Sequence, residues 1–160
     1  MKDFKGLILD MRSNPGGYLN DAIFISSEFL KSGTTVVIED NGKGIKNTRS
    51  VSRNGLFKDT KLVILINRGS ASASEIVAGA MRDHKRAVLV GEKSFGKGTI
   101  QESNDLGGGA GLHVTIGKWL TPNGTWVHGE GLKPDIEAVL DTKDESHDLQ
   151  LEKAVLELVK

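Results

Sequence analysis

The 160-residue chain reads as an α/β domain: a mostly parallel sheet flanked by helices, with a β-hairpin region appended. Three observations predict this. The short apolar runs "LILDM", "KLVILIN" and "RAVLVGE" have the length and continuity of strands buried on both faces. Between them lie segments with apolar residues at helical spacing, the alternation that builds parallel sheets. After "RAVLVGE" the pattern becomes apolar–polar alternation broken by Gly and Pro-Asn-Gly turns, which is antiparallel in character.

In chain order, Phe4 to Met11 predicts a buried strand, and Asn14-Pro-Gly-Gly17 is a strong turn signal. Leu19, Ala22, Ile23, Phe29 and Leu30 recur at near-helical spacing up to a stop at Gly33. Thr34 to Ile38 is β-branched and predicts a strand. Asn41 to Phe57 is polar and Gly-bearing, a loose hairpin or exposed excursion. Lys61 to Asn67 is the clearest buried strand. "SASASEIVAGAMRDHK" follows as a helix with Ile76, Val77, Ala80 and Met81 on one face. "GTIQES", "GLHVTIGKWLT" and "GTWVHGE" are expected as antiparallel strands, and Leu149 to Val159 as a closing helix.

The bulk numbers narrow the function. Twenty-one basic and twenty-one acidic residues balance, so no net field argues for nucleic acid or an anionic membrane. With no cysteine there is neither a disulfide nor a thiolate metal site. No apolar run approaches the roughly 18 residues of a membrane span. The opening "MKDFKGLILDMR" lacks the marks of a signal peptide and enters a strand at once, so residues 1–160 are expected to be one excised domain. His84, His113, His128 and His147 have no ligand spacing, and no metal or cofactor is expected. Trp119, Trp126 and His128 are expected in packing or cross-strand pairs.

"VLVGEKSFGKGTIQES" carries the chemistry. Gly91, Gly96 and Lys97 approximate a phosphate-binding loop, but Gly98 stands where the Mg²⁺-holding Ser or Thr belongs. The sequence also continues as strand, without the helix N-terminus that holds phosphates. Ser94 and Lys97 match S-x-x-K, which needs a helical turn that Gly96 and Gly98 disfavour. A lysine base needs a nucleophile instead. Ser70, Ser72 and Ser74 lie where a buried strand enters a helix, the sheet edge at which open α/β folds place ligands. The next parallel strand delivers Lys97 to that edge. From the residues alone the serines remain equivalent, and Ser72-x-x-Glu75 also fits a helix-capping box.

These residues resemble the carboxyl-terminal processing proteases, serine peptidases with a Ser/Lys dyad. Three blocks carry the resemblance: "LILDMRSNPGG", "GSASASEIVAGAMRDHKRAVLVGEKSFGKGTIQ" and "WLTPNGTWVHGEGLKPDI". The resemblance implies a core of the crotonase or Clp-protease type. It assigns Ser72 as nucleophile, Lys97 as general base and Gln101 as the residue orienting that lysine. Gly17, with Gly16 beside it, and Ala73 would form the oxyanion hole, while Asp83, Glu75 and Ser94 fall on supporting positions. Asp83, about three helical turns beyond Ser72, is expected to brace the helix end and not to touch the nucleophile. A lysine acts as base only when neutral, a form that apolar surroundings favour, and Phe95 with the strand before it is the expected shield. The resemblance further implies protein or peptide substrates with apolar or unstructured C-termini and an extracytoplasmic setting. A PDZ domain and N-terminal helical segments of the relatives are expected to be absent from this chain. A non-catalytic peptide-binding or scaffold domain on the same fold is the alternative.

Overall fold

The computed structural model describes residues 4–140 and 147–160. In chain order the elements are β1 (Leu7–Asp10), α1 (Leu19–Ser27), β2 (Thr35–Asp40), β3 (Lys46–Ser50), β4 (Leu62–Ile66), α2 (Ala73–Asp83), β5 (Val88–Gly91), β6 (Thr99–Gly107), β7 (Ala110–Leu120), β8 (Ile136–Glu137) and α3 (Leu149–Val159). They form two four-stranded sheets. One is parallel, in the order β1-β4-β5-β8; the other is antiparallel, in the order β3-β2-β7-β6.

The continuous apolar run of β4 has a use on both faces. Its even-numbered residues Leu62, Ile64 and Ile66 enter the main core with Ile76, Val77, Ala80 and Met81 of α2, Ala22 of α1, and Val36, Val37 and Trp119 of the second sheet. Its odd-numbered Val63 and Leu65 enter a smaller core with Val90, Ala138 and Ala154 of α3. This is the period-2 geometry of a strand covered on both sides. Each fully buried Ile, Val or Met of α2 stabilises by about 1.5–3 kcal/mol relative to exposure. Gly79 lets α2 pass close to the loop after β7, where a Cβ would lie 3.1 Å from the Thr121 methyl.

Two expectations change, and one element has no counterpart in the sequence reading. The Thr34–Ile38 strand does not join the parallel sheet: β2 pairs with β3 and β7, so the polar Asn41–Phe57 stretch contains a real hairpin. "GTWVHGE" is not a strand. Thr121 N–H donates to Thr125 O, and Glu130 and Gly131 N–H both donate to Val127 O. These local bonds, with left-handed Gly124, Gly129 and Gly131, consume the groups a ladder would need. The two-residue β8, at the far edge of the parallel sheet, is too short to leave a periodic signal.

Candidate active site

The loops that follow β1 and β4 at the carboxyl edge of the parallel sheet are tied to each other before any functional side chain is placed. Ser70 Oγ donates to Met11 O (2.7 Å) and accepts from Asn67 N–H (3.0 Å), joining the ends of β1 and β4. Asn67 Oδ1 accepts from Ser13 and Gly69 N–H at 2.8 and 2.9 Å. Ala71 N–H donates to Asn14 O (3.0 Å), drawing the Asn14–Gly17 turn against the start of α2. Gly16 fits there because a Cβ would lie 2.5 Å from Ala71 O, and its φ is +93°.

This framework separates the three serines. Ser70 and Ser74 are buried. Ser72 is half-buried and lines a cleft of about 520 Å³. Its backbone is unusual: φ is +55° and ψ −117°, where an ordinary N-cap is extended. Such a conformation in a residue with a Cβ costs about 1–3 kcal/mol and persists where surrounding bonds over-determine it. Here they do: Ser72 N–H donates to Glu75 Oε2 (2.9 Å), and the neighbouring Ala71 is held by Asn14.

Glu75 is wholly buried and its carboxylate accepts four bonds. Oε1 takes Ser94 Oγ–H (2.5 Å) and Gly96 N–H (2.7 Å); Oε2 takes Ser72 N–H and Lys97 N–H (2.8 Å). One side chain therefore fixes the Lys97 loop to the Ser72 turn. Ser94 extends the tie, since its Oγ accepts from Leu132 N–H at 2.7 Å. From the other side, Trp119 Nε1–H donates to Lys97 O and Trp126 Nε1–H to Gly98 O, both at 2.9 Å. Glycine is needed on either side of Lys97. A Cβ on Gly96 would lie 2.8 Å from Gly131 N, and one on Gly98 2.8 Å from His128 N and Trp126 Nε1.

Of the residues singled out in the sequence, Ser72, Lys97, Gln101, Gly17 and Ala73 line the one cleft. Gln101 reaches it at a β-bulge: Ile100 pairs with Gly117 but Gln101 with Thr115, a local irregularity of the kind that bends a strand. Glu75 and Ser94 stand behind the cleft as braces. Asp83 lies outside it, where its Oδ2 accepts Asn123 N–H at 2.9 Å and steadies the turn after β7. Gly16 and Gly17 divide their work. Gly16 N–H is spent on Asn14 Oδ1 (2.9 Å), so Gly16 shapes the turn, while Gly17 faces open space and the cleft. Ala73 opens α2, whose first N–H groups have no intrahelical acceptor.

Phe95 is not the shield expected of it. Its N–H is tied to Ser70 O (2.9 Å) and its ring is 64% exposed. Ile76, Ile100 and Trp119 supply the apolar wall beside Lys97 instead. The role of the tryptophans was not legible, because indole-to-carbonyl bonds between distant segments have no spacing in sequence. A larger open basin of about 620 Å³, with Lys58, Lys61, Arg82 and Arg86 in its wall, lies at the amino edge of β4 and β5. Arg86 there is occupied by the carbonyls of Phe29, Phe57 and Thr60, and no residue assigned to the chemistry reaches it. Among the described residues no cluster of His, Asp and Glu is placed to hold a metal ion, and no helix is long and apolar enough to cross a membrane.

Residues 1–138 match the model of Peptidase family S41. The chain belongs to this family. It is 44% identical over 132 residues to a protein of Staphylococcus epidermidis named "Probable CtpA-like serine protease", and 44% over 134 residues to one of the same name from Staphylococcus haemolyticus. These alignments take in 81% and 82% of this chain but 27% of each relative, so the chain spans about a quarter of their length. Among solved structures, the photosystem II D1 C-terminal processing protease superposes with a TM-score of 0.76 at 38% identity, over 84% of this chain and 35% of that one. A lipoprotein from Streptococcus agalactiae shares the fold at a TM-score of 0.79 and 23% identity, over 99% of this chain and 55% of that one.

Proposed function

We propose that this S41 member is the catalytic core of a serine endopeptidase in which Ser72 and Lys97 form the dyad. The observation that carries the reading is their convergence. The one half-buried serine of the cluster, held at φ +55° at the N-cap of α2, shares a cleft with Lys97, Gly17 and Ala73.

A serine hydroxyl is a weak nucleophile and needs an adjacent base. Neutral Lys97 takes the proton from Ser72 Oγ as the oxygen attacks the scissile carbonyl. The carbonyl oxygen becomes the oxyanion and receives Gly17 and Ala73 N–H, donors that need no reorganisation at the moment of reaction. Collapse breaks the C–N bond, and the leaving amine takes its proton from the Lys97 ammonium. Water then gives a proton to Lys97 as its oxygen attacks the acyl ester; the bond from the acyl carbon to Ser72 Oγ breaks, Oγ takes the proton back from Lys97, and the carboxylic acid product leaves. Removing one such oxyanion donor typically costs about 2.7–4 kcal/mol of barrier stabilisation.

Cleavage near the C-terminus of protein substrates with apolar or unstructured tails, in a periplasm, cell envelope or plastid lumen, belongs to the same proposal. It is supported by the family likeness and by the processing role in the name of the D1 protease. Hydrolysis of an unfolded protein from neutral to alkaline pH tests the dyad. The expected result is a rate that rises with pH in the parent and is lost in both Ser72→Ala and Lys97→Ala. A Lys97→Ala variant that keeps the parent rate would remove the base from this scheme, and selective peptide binding without turnover would point to a binding domain.

A further inference from the structure

Beyond Lys97 the strand continues along the cleft. Thr99, Gln101 and Ser103, at every second position, all line it, and Ile100 lines it as well, at the β-bulge next to Gln101. β6 is the edge strand of its sheet, so no neighbouring strand covers this row from the side. At its far end Ser103 pairs with His113 of β7, and the two side chains bond: Ser103 Oγ lies 2.9 Å from His113 Nδ1. His113 also lines the cleft. With Nδ1 held by Ser103, the ring has one polar atom left. Nε2 is a donor when the hydroxyl gives its proton to Nδ1, and an acceptor when Nδ1–H gives to the hydroxyl.

We propose that the Ser103–His113 pair is a remote specificity subsite, taking a neutral hydrogen-bonding side chain (Asn, Gln, Ser or Thr) of a substrate that lies extended along β6. This rests on the reading of Ser72 and Lys97 as the reacting pair. Lys97 to Ser103 is about six residues, or roughly 20 Å of strand at 3.3–3.4 Å per residue. A substrate must therefore extend about six residues from the scissile bond to reach the pair, so long unstructured segments are selected over short peptides. Beyond the apolar wall of Ile76, Ile100 and Trp119 beside Lys97, the residues of β6 and β7 that line the far end of the cleft, Gln101, Ser103 and His113, carry no apolar side chain that would hold a leucine. Asp105, two positions further on the same face, disfavours an incoming carboxylate. His113 touches the substrate; Ser103 is a positioning residue that sets the ring.

The test is binding to the Ser72→Ala chain, which cannot turn over, by three labelled peptides. One is short, one carries about six further Gln-rich residues on each side, and one carries Leu-rich extensions of equal length. The Gln-rich peptide is expected to bind about tenfold more tightly than the other two, the worth of one or two good hydrogen bonds. Adding His113→Ala should abolish that advantage while affinity for the short peptide changes less than about twofold. Ser103→Ala should act in the same direction and Ser103→Thr restore it. Equal affinities for the three peptides, a preference for the Leu-rich one, or an unchanged advantage in His113→Ala would overturn the subsite. Hydrolysis of the short peptide by the parent and by Ser72→Ala reports separately on the dyad. If the dyad fails there, the binding comparison still decides the role of His113.

Discussion

The Ser72–Lys97 corner and the outer β6–β7 hairpin are built from opposite materials. At the corner one carboxylate takes four donors, two indoles brace two adjacent carbonyls, and glycines allow backbones to approach closer than a Cβ permits. In the hairpin, residues 101–116 are exposed on both faces, including Leu112, Val114 and Ile116, and the tip is Gly107-Gly-Gly109 with nothing near it. The difference teaches where precision is needed. Proton transfer and oxyanion stabilisation tolerate little displacement, and the groups proposed to react sit in an over-determined frame. A wall that meets varied extended chains gains from being held only at its base.

The largest effect should come from breaking the frame. Glu75→Ala leaves four donors facing a void, among them the N–H groups of both Ser72 and Lys97. It is expected to cost about 3 kcal/mol or more in a urea unfolding series and to abolish hydrolysis. A loss below about 1 kcal/mol would mean that the corner is held by the backbone contacts alone.

The Arg12 cluster at the same edge of the sheet lies between the two extremes, polar like the corner but wetter. Arg12 bonds Asp10 at 2.7 Å and Asp148 at 2.9 Å, fastening the start of α3 to the end of β1. Burial pushes the Asp10 carboxyl up, but the hydrogen bonds and charge of Arg12 outweigh it and hold the group below its usual range. Asp148 balances the same way, with burial opposed by Leu151 N–H and Arg12. A carboxylate whose folded-state value is depressed contributes stability above its unfolded value and loses it as pH falls through the folded one. Unfolding free energy should therefore fall below about pH 4. Solvent screening keeps this cluster to about 1 kcal/mol, and Arg12→Ala should flatten the acid limb by that amount. A parent and variant with superimposable profiles would place the acid sensitivity elsewhere.

The smallest effect belongs to the hairpin. Val114→Thr, on the face opposite Ser103 and His113, is expected to shift stability by less than about 0.5 kcal/mol. A shift of about 2 kcal/mol or more would show that the exposed arm is as tightly coupled to the body as the corner is.

Much of this was legible before the fold. The runs at β4 and β5, the helical faces of α2 and α3, and a serine cluster at a strand-to-helix junction are local patterns, and local periodicity is what a chain states directly. The family blocks added the pairing of Ser72 with Lys97. Tertiary contact decided the rest. β2 reads as a strand from its own residues, but its sheet depends on β3 and β7. Ser70, Ser72 and Ser74 are alike in sequence. They differ because Met11 and Asn67 claim the first, packing buries the third, and only the second opens to the cleft. Glu75 looks like an ordinary capping residue until Ser94, Gly96 and Lys97 arrive some twenty positions later to share its carboxylate. A sequence states which groups a segment carries. Which of them are consumed by structure and which stay available for chemistry depends on partners that only the folded chain brings within hydrogen-bond reach.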